Sequence, residues 1–594
     1  MDRRLDVQRR LRETSLDAPD TTLHACIRDN DIPKLRHELL LSGPTEINNQ
    51  SSDWGAPLHI AVLCDNLAAV RLLLDAGADP LAETLADGPS SPLMVAIRHG
   101  NRGIIQRLWA HVPPENHANG RRPFWSCLAY AATFGQVPVV CNLLDWWDSW
   151  SAEVRDCALI AAAGRWHAYV VELLLTRFTY SATTLSHALQ KAINFKTTTY
   201  GEVHELEYDS ADYLHQQQLI ALLIEAGANP NTLEHGLHLT IQATRYIELV
   251  GGLKALLENG ADSDAKGDDG QSALHRLGFP IPARRRHPPS YHLHETGIRL
   301  LLQHGASVRQ PDAVGNTPLH CAAFGSNVHI FQLYLSVLAD QGQEAVLSEA
   351  RNNHGETILH WAAAGGKVDI LQCLLSRGAA VHVNNSTPNG WTPLMCALAT
   401  TGPPWGTPIK RAPEAIQAAE LLLLHGADPL ISTAEGWTPL HCLALHLDND
   451  PAGDAAQLAM DFILRGVDVA ARAPMLVRDP AGQRPSSGHY GRPWGFRVRE
   501  VMQQLAATQP DLIKHGRTAL HWAAERGAVG ITKALLENGA DPLAVDASGM
   551  APGRLAAESP WLGDRRDIRH ELQRILHGAV AREGGVGRVG FAEH

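Results

Sequence analysis

Gly315-Asn316-Thr317-Pro318-Leu319-His320 decides the fold, because the chain repeats it. Copies begin at Gly55, Gly355, Gly390, Gly436 and Gly516, with weaker ones at Asp20, Ser91 and Ser272. A second phrase is linked to it: Leu73-Leu74-Asp75-Ala76-Gly77-Ala78-Asp79-Pro80. That phrase returns at 223–230, 256–263, 301–308, 374–381, 422–429 and 535–542, and in worn form at 463–469. Pro57 to Gly77 spans 20 residues, as do Ile358 to Gly378 and Ala519 to Gly539, and Gly227 to Gly260 spans 33. Two anchors linked at a fixed distance within a period near 33 mark a repeat array.

Each anchor has a mechanical reason. Thr317 caps a helix N-terminus, and Pro318 takes the first helical position, where its missing N–H costs nothing. Leu319 and Ala322-Ala323 give a slim apolar face. The run Val368–Leu375 is apolar at helical spacing and reads as a second helix. Gly378 suits the left-handed conformation that ends a helix. Each period therefore reads as a turn and two helices.

With these motifs the chain resembles the ankyrin-repeat family, over roughly 20–577. The likeness is strongest in 53–80, 315–380, 388–430 and 514–543. In 120–200 helix pairs are read without the Thr-Pro motif. The fold implied is an all-α repeat solenoid of about 13 or 14 units, ending in a degenerate cap at 550–578. His59, His275, His320, His360, His441 and His521 share one place in the repeat. The resemblance implies a structural role for them, each imidazole bonding backbone between adjacent turns. They stand one per repeat and do not converge as metal ligands or a general base would.

Departures from the period mark insertions. The expected organisation is a solvated segment at 1–19, then an array over 20–470 with insertions near 195–215, 278–294 and 400–413. A long Pro/Gly/Arg-rich insert at 471–513 follows, its run 498–512 reading as an extra helix. A last repeat and cap fill 514–577, before a Gly-rich flexible tail at 578–594. Insertions in solenoids map to loops, often on the binding face, although added loop length costs little in closure entropy and also arises by drift. Arg284-Arg285-Arg286, between prolines, reads as a solvated loop more readily than as an import signal. His287, His292 and His294 beside it lack the companions of a zinc site.

Composition narrows the function. The 594 residues carry 51 basic and 63 acidic side chains, a net charge of −12, which argues against direct nucleic-acid binding. Charged residues are only 19%, because each unit repeats Leu-Leu, Ala-Ala and Gly-Ala. The nine cysteines include no CxxC pair and sit mostly in apolar runs, as reduced thiols do inside cells. The first twelve residues lack the apolar core of a secretory signal, and no window of about 18 apolar residues exists. The expectation is a monomeric intracellular protein, cytoplasmic or nuclear, with no transmembrane segment.

No catalytic motif stands out. Gly585-Val586-Gly587-Arg588-Val589-Gly590 matches a dinucleotide fingerprint by letter but lacks the strand, turn and helix that such a site needs. Walker A, zinc-protease, nucleophile-elbow and kinase patterns are absent from the sequence, as is the cysteine-rich acyltransferase motif that accompanies ankyrin arrays in some larger proteins. An enzyme would have to hide in 181–235 or 471–513, each below the usual 100 residues of a catalytic domain. The expected function is a non-catalytic scaffold or adaptor, without cofactor or metal, that binds other proteins along a concave face. The resemblance places Asn316, Glu356, Trp391, Trp437 and Arg517 toward the partner, each following a turn glycine. It adds Ala364, Gly365, Glu525 and Arg526 on the inner helices. Trp and Arg favour interface anchoring, although packing of Trp391 and Trp437 against neighbouring turns is equally open. Trp361 and Trp522, one residue past the histidine, are expected to be partly buried. On the interface reading, Trp391→Ala with Trp437→Ala weakens partner capture at little cost in stability; a large loss of stability would place both rings in the core.

Overall fold

A computed structural model describes residues 21–50, 55–83, 91–113, 126–193, 211–234, 237–245, 250–278, 291–340, 342, 346–399, 412–446, 453–473, 516–559, 562 and 565–586. The segment 1–19, the Arg284–His287 run, and most of the inserts expected at 195–215, 278–294, 400–413 and 471–513 lie outside them.

The chain divides into two compact units, 1–262 and 263–594. Among the described residues the first holds seven helix pairs, from Thr22–Arg28 with Ile32–Leu41 to Leu239–Arg245 with Val250–Glu258. The second holds seven more, from Ala273–Gly278 with Tyr291–Gln303 to Pro552–Glu558 with Arg566–Val586. Within each unit the first helix of a pair packs on the first helices of its neighbours, forming an inner row. In the second unit the second helices form an equally continuous outer row. One two-stranded sheet pairs Leu233–Glu234 with Leu237–His238. The fold is an all-α repeat solenoid.

The caps explain the boundaries. Thr317 sits in extended backbone (φ −94°, ψ 163°) before Pro318 at the first helical position, as the sequence predicts. Outer helices carry caps of their own: Asn66 Oδ1 accepts from Ala69 N–H at 3.0 Å, and Asn101 Oδ1 from Ile104 N–H at 3.1 Å. Gly378 takes φ +95°, the left-handed turn that closes the unit. Small residues let inner helices touch. Ala322, Ala323, Ala362, Ala363, Ala523 and Ala524 are fully buried. A Cβ on Gly365 would stand 2.3 Å from the Phe324 carbonyl oxygen.

The inserts fall at two places. Residues 279–290, 400–411 and 447–452 join the inner helix of a pair to its outer helix. The long insert instead opens a hairpin tip. In ordinary units that hairpin closes over four residues: Asp312 N–H donates to Asn316 O at 2.8 Å, Asn352 to Glu356 at 3.0 Å, Thr433 to Trp437 at 2.8 Å. Here Ala473 and Arg517 exchange both backbone bonds, at 2.9 and 2.7 Å, across 44 positions. The stack continues past the junction, Pro439–His446 packing on Ala519–Arg526 and Asp454–Leu464 on Val529–Glu537. The ordinary hairpin thus stops at Ala473 and resumes at Gly516, which places the insert at 474–515, a few residues later than 471–513. The tail also needs correction: residues 578–586, expected as flexible, continue the helix Arg566–Val586. Gly578 costs about 1 kcal/mol there. The helix-forming Ala579–Glu583 run carries the helix past it, with Arg582 Nε donating to the Gly578 carbonyl at 3.3 Å.

Candidate functional site: the inner face of the second unit

Hairpins and inner helices together build this face, and a buried ladder runs along it. Asp312 Oδ2 accepts from the Asn316 amide at 3.0 Å. The Asn352 amide donates to Asn316 Oδ1 at 2.8 Å and to Glu356 Oε2 at 2.6 Å. Trp361 Nε1 donates to the same carboxylate oxygen at 3.2 Å. Three indoles follow. Trp391 stacks on Trp437 with centroids 6.3 Å apart, and Trp437 on Trp522 at 6.0 Å. The second stack spans the junction of the long insert. Arg517 ends the ladder: its guanidinium lies 4.6 Å from the Trp522 ring centre. Its Nε donates to Asp546 at 2.9 Å and its Nη1 to Glu525 at 2.9 Å.

These bonds correct the expected partner surface. Asn316, Glu356, Trp391, Trp437 and Arg517 are all buried, none more than 6% exposed. Ala364 and Gly365 are buried as well, against the neighbouring inner helix. The physical reason is the ladder: each residue after the turn glycine finds its partner within the stack. Trp361 and Trp522, expected to be partly buried, are fully so. Glu525 and Arg526 remain half-buried on the inner helix. The double tryptophan substitution is therefore a core substitution, and a large loss of stability is its expected result.

His275, His360 and His441 bond the next unit as their place in the repeat implied, whereas His320 Nε2 and His521 Nε2 find no acceptor among the described residues. Thr317 N–H and Oγ1 meet His320 Nδ1 at 3.1 and 2.9 Å, and Thr357 meets His360 Nδ1 in the same way. The far nitrogen reaches the next unit. His275 Nε2 donates to Asn316 O at 2.9 Å, His360 to Trp391 O at 3.1 Å and His441 to Ala471 O at 3.1 Å. In the first unit His24 does the same with Gly55 O at 3.0 Å. Because Nδ1 accepts a backbone N–H, the ring proton sits on Nε2. Burial holds His320 down to about 3, and His441 and His521 to about 4.

What does face outward is the hairpin tip. Ala313, Asn353, Pro388, Ala434 and Ala547, each two residues before a turn glycine, are exposed. This position is not among the partner-facing residues expected above. Its signal was a place of mixed residue types inside an otherwise fixed phrase: Ala, Asn, Pro, Ala and Ala two residues ahead of Gly315, Gly355, Gly390, Gly436 and Gly549.

Known proteins share these repeats. Family models described as "Ankyrin repeats (3 copies)", "Ankyrin repeat" and "Ankyrin repeats (many copies)" match residues 330–403, residues 56–85 with 515–547, and residues 291–333. Transient receptor potential cation channel subfamily V member 5 of Rattus norvegicus is 31% identical over 131 residues, covering 21% of this chain and 18% of the channel. SH3 and multiple ankyrin repeat domains protein 2 of Homo sapiens is 31% identical over 186 residues, 30% of this chain and 9% of that protein. Palmitoyltransferase AKR1 of Lachancea kluyveri is 27% identical over 183 residues, 31% of this chain and 22% of that enzyme. The chain thus spans less than a quarter of each of these relatives. Among the described residues no helix is long and apolar enough to cross a membrane.

Proposed function

We propose, from the premise that this is an ankyrin-repeat protein, that it is a non-catalytic scaffold or adaptor whose hairpin tips bind a partner protein. The observation that carries this reading is the exposed row Ala313, Asn353, Pro388, Ala434 and Ala547, set on a buried ladder. A rigid ladder presents the tips in a fixed register, so little entropy is lost on binding. Half-buried Glu525 and Arg526 extend the surface onto an inner helix. The nine cysteines stand free, which supports a reducing compartment, the cytoplasm or the nucleus. A monomer is the proposed state.

The test substitutes the tips and leaves the ladder intact. Asn353→Arg, Pro388→Arg and Ala434→Arg are combined in the full chain. Proteins captured from the native cell by wild type and variant are compared by mass spectrometry, with melting temperatures measured alongside. Loss of specific partners at unchanged melting temperature supports the tip surface. Recovery of the same partners by both proteins sinks it.

A further inference from the structure

Successive units of this stack are stapled at the edge where the outer helices end. Asn48 donates to Gly77 O at 3.4 Å and accepts from Asp79 N–H at 2.9 Å. Asn231 does the same with Gly260 and Asp262, at 3.3 and 2.8 Å. Asn384 does so with Gly426 and Asp428, at 2.9 and 2.8 Å. Asn231 lies four residues after its turn glycine, Gly227. At that same place after Gly426, Gly466 and Gly539 stand Leu430, Ala470 and Leu543. In these three successive units an apolar residue stands at the place from which Asn231 makes its staple.

The leucines are not buried. Leu430 is 54% exposed, Leu424 at the end of its outer helix 81%, and Leu464 at the end of the next 77%. Leu430 Cδ2 lies 3.8 Å from where a Cβ on Gly466 would be, two residues past Leu464, and the helices Ala412–Leu424 and Asp454–Leu464 pack together. Leu543 and Val545 of the following unit are exposed as well. Clustered exposed apolar surface of this kind marks interaction sites. Its frame is acidic: Glu420, Asp428, Asp461 and Asp468 stand in the last turns of the two outer helices or just after them, and Arg465 and Arg472 are the only Lys or Arg among the described residues of 420–473. Both arginines are engaged, Arg465 with Asp461 at 2.9 Å and Arg472 with the Gly516 and Val545 carbonyls at 3.1 and 2.8 Å. The outer helices also end here, adding the negative pole of each helix dipole.

We infer that Leu424, Leu430 and Leu464 form a second docking surface, distinct from the hairpin tips, for a cationic amphipathic helix of a partner protein. Leucine-type anchors at helical spacing would cover the three leucines, and flanking Lys and Arg would face the acidic frame. This surface does not depend on the function proposed for the tips.

The probe is an 18-residue helical Leu/Lys peptide carrying fluorescein, read by fluorescence anisotropy against the full chain. The variant Leu424→Ser, Leu430→Asn, Leu464→Ser removes the knobs, and Asn at 430 recreates the residue of the native staple. Its Kd is expected to rise at least about tenfold, with the melting temperature held. A peptide with Glu in place of Lys is expected to bind about tenfold more weakly or worse. The tip variant Asn353→Arg is expected to bind the peptide as wild type does. Equal binding by wild type and the leucine variant overturns the inference, as does equal binding of the Glu peptide. Loss of binding in Asn353→Arg would move the peptide to the inner face and overturn it too. A wild-type dimer in sedimentation that the leucine variant abolishes would assign the patch to a second copy instead.

Discussion

At the scale of the residue, the repeated histidine makes this fold acid-sensitive. In the folded chain Nδ1 already accepts a backbone N–H, so a second proton has no place to go. Desolvation holds His441 and His521 to about 4 and His320 to about 3, against 6.5 for the free side chain. Above pH 6.5 these rings are neutral folded or unfolded, and they add no pH dependence. Below it the unfolded chain binds protons that the folded chain refuses, so stability falls. Each ring should cost about 1.4 kcal/mol per pH unit, down to about pH 4 for His441 and His521 and to about pH 3 for His320. Urea unfolding from pH 8 to pH 5 checks this: a flat region above 7, then a decline that shallows by about one ring's share in His320→Gln. A stability that rises below pH 6 would refute the assignment. The tryptophan ladder gives a second test. Trp437 is stacked on both sides, and its indole N–H has no acceptor among the described residues. Trp437→Ala should cost about 3–5 kcal/mol. Trp437→Phe keeps an aromatic ring, leaves a smaller void and loses an unmet donor, so it should cost clearly less than Trp437→Ala. Equal losses in the two variants, measured by thermal melts, would show that stacking is not what matters.

At the scale of the element, most of the architecture was legible before the structure. Thr317, Pro318 and Gly378 act locally, through caps and a left-handed turn, and local chemistry is what a sequence displays. The buried face was not legible, for a physical reason. Whether Glu356 faces solvent depends on Asn352 four residues before it and Trp361 five after it. Whether Arg517 does depends on Asp546, in the hairpin of the next unit. Spacing along the chain does not reveal such partnerships. The long insert offers the test at this scale. Since Ala473 and Arg517 already pair as a hairpin, residues 474–515 should be replaceable by two residues before Gly516. Asn-His, as at 353–354, would rebuild the ordinary tip, with Gly516 supplying the left-handed turn that Gly355 makes at φ +76°. The shortened chain should keep its helical circular dichroism and melt within about 5 °C of wild type. Loss of cooperative melting would mean that the insert holds the two sides together.

At the scale of the whole molecule, the acid response should be local. In residues 263–594 burial pushes His275, His320, His441 and His521 down. Repeat arrays lose stability locally, since each unit touches only its neighbours. Hydrogen exchange near pH 5 should therefore quicken first in the inner helices of 263–594 that carry these rings, before the outer helices packed behind them. Protection lost equally in both rows would contradict this.

The splice at Ala473 and Arg517 has a consequence for a broken chain. Across it run a backbone pair, the Trp437–Trp522 stack and a bond from the Asn538 amide to Met460 Sδ at 3.1 Å. None of these needs the peptide that joins the two sides. A protease cutting between 474 and 515 would turn one polypeptide into two that remain a single particle. The two pieces made separately would be a natural pair for fragment complementation, each supplying half of one seam.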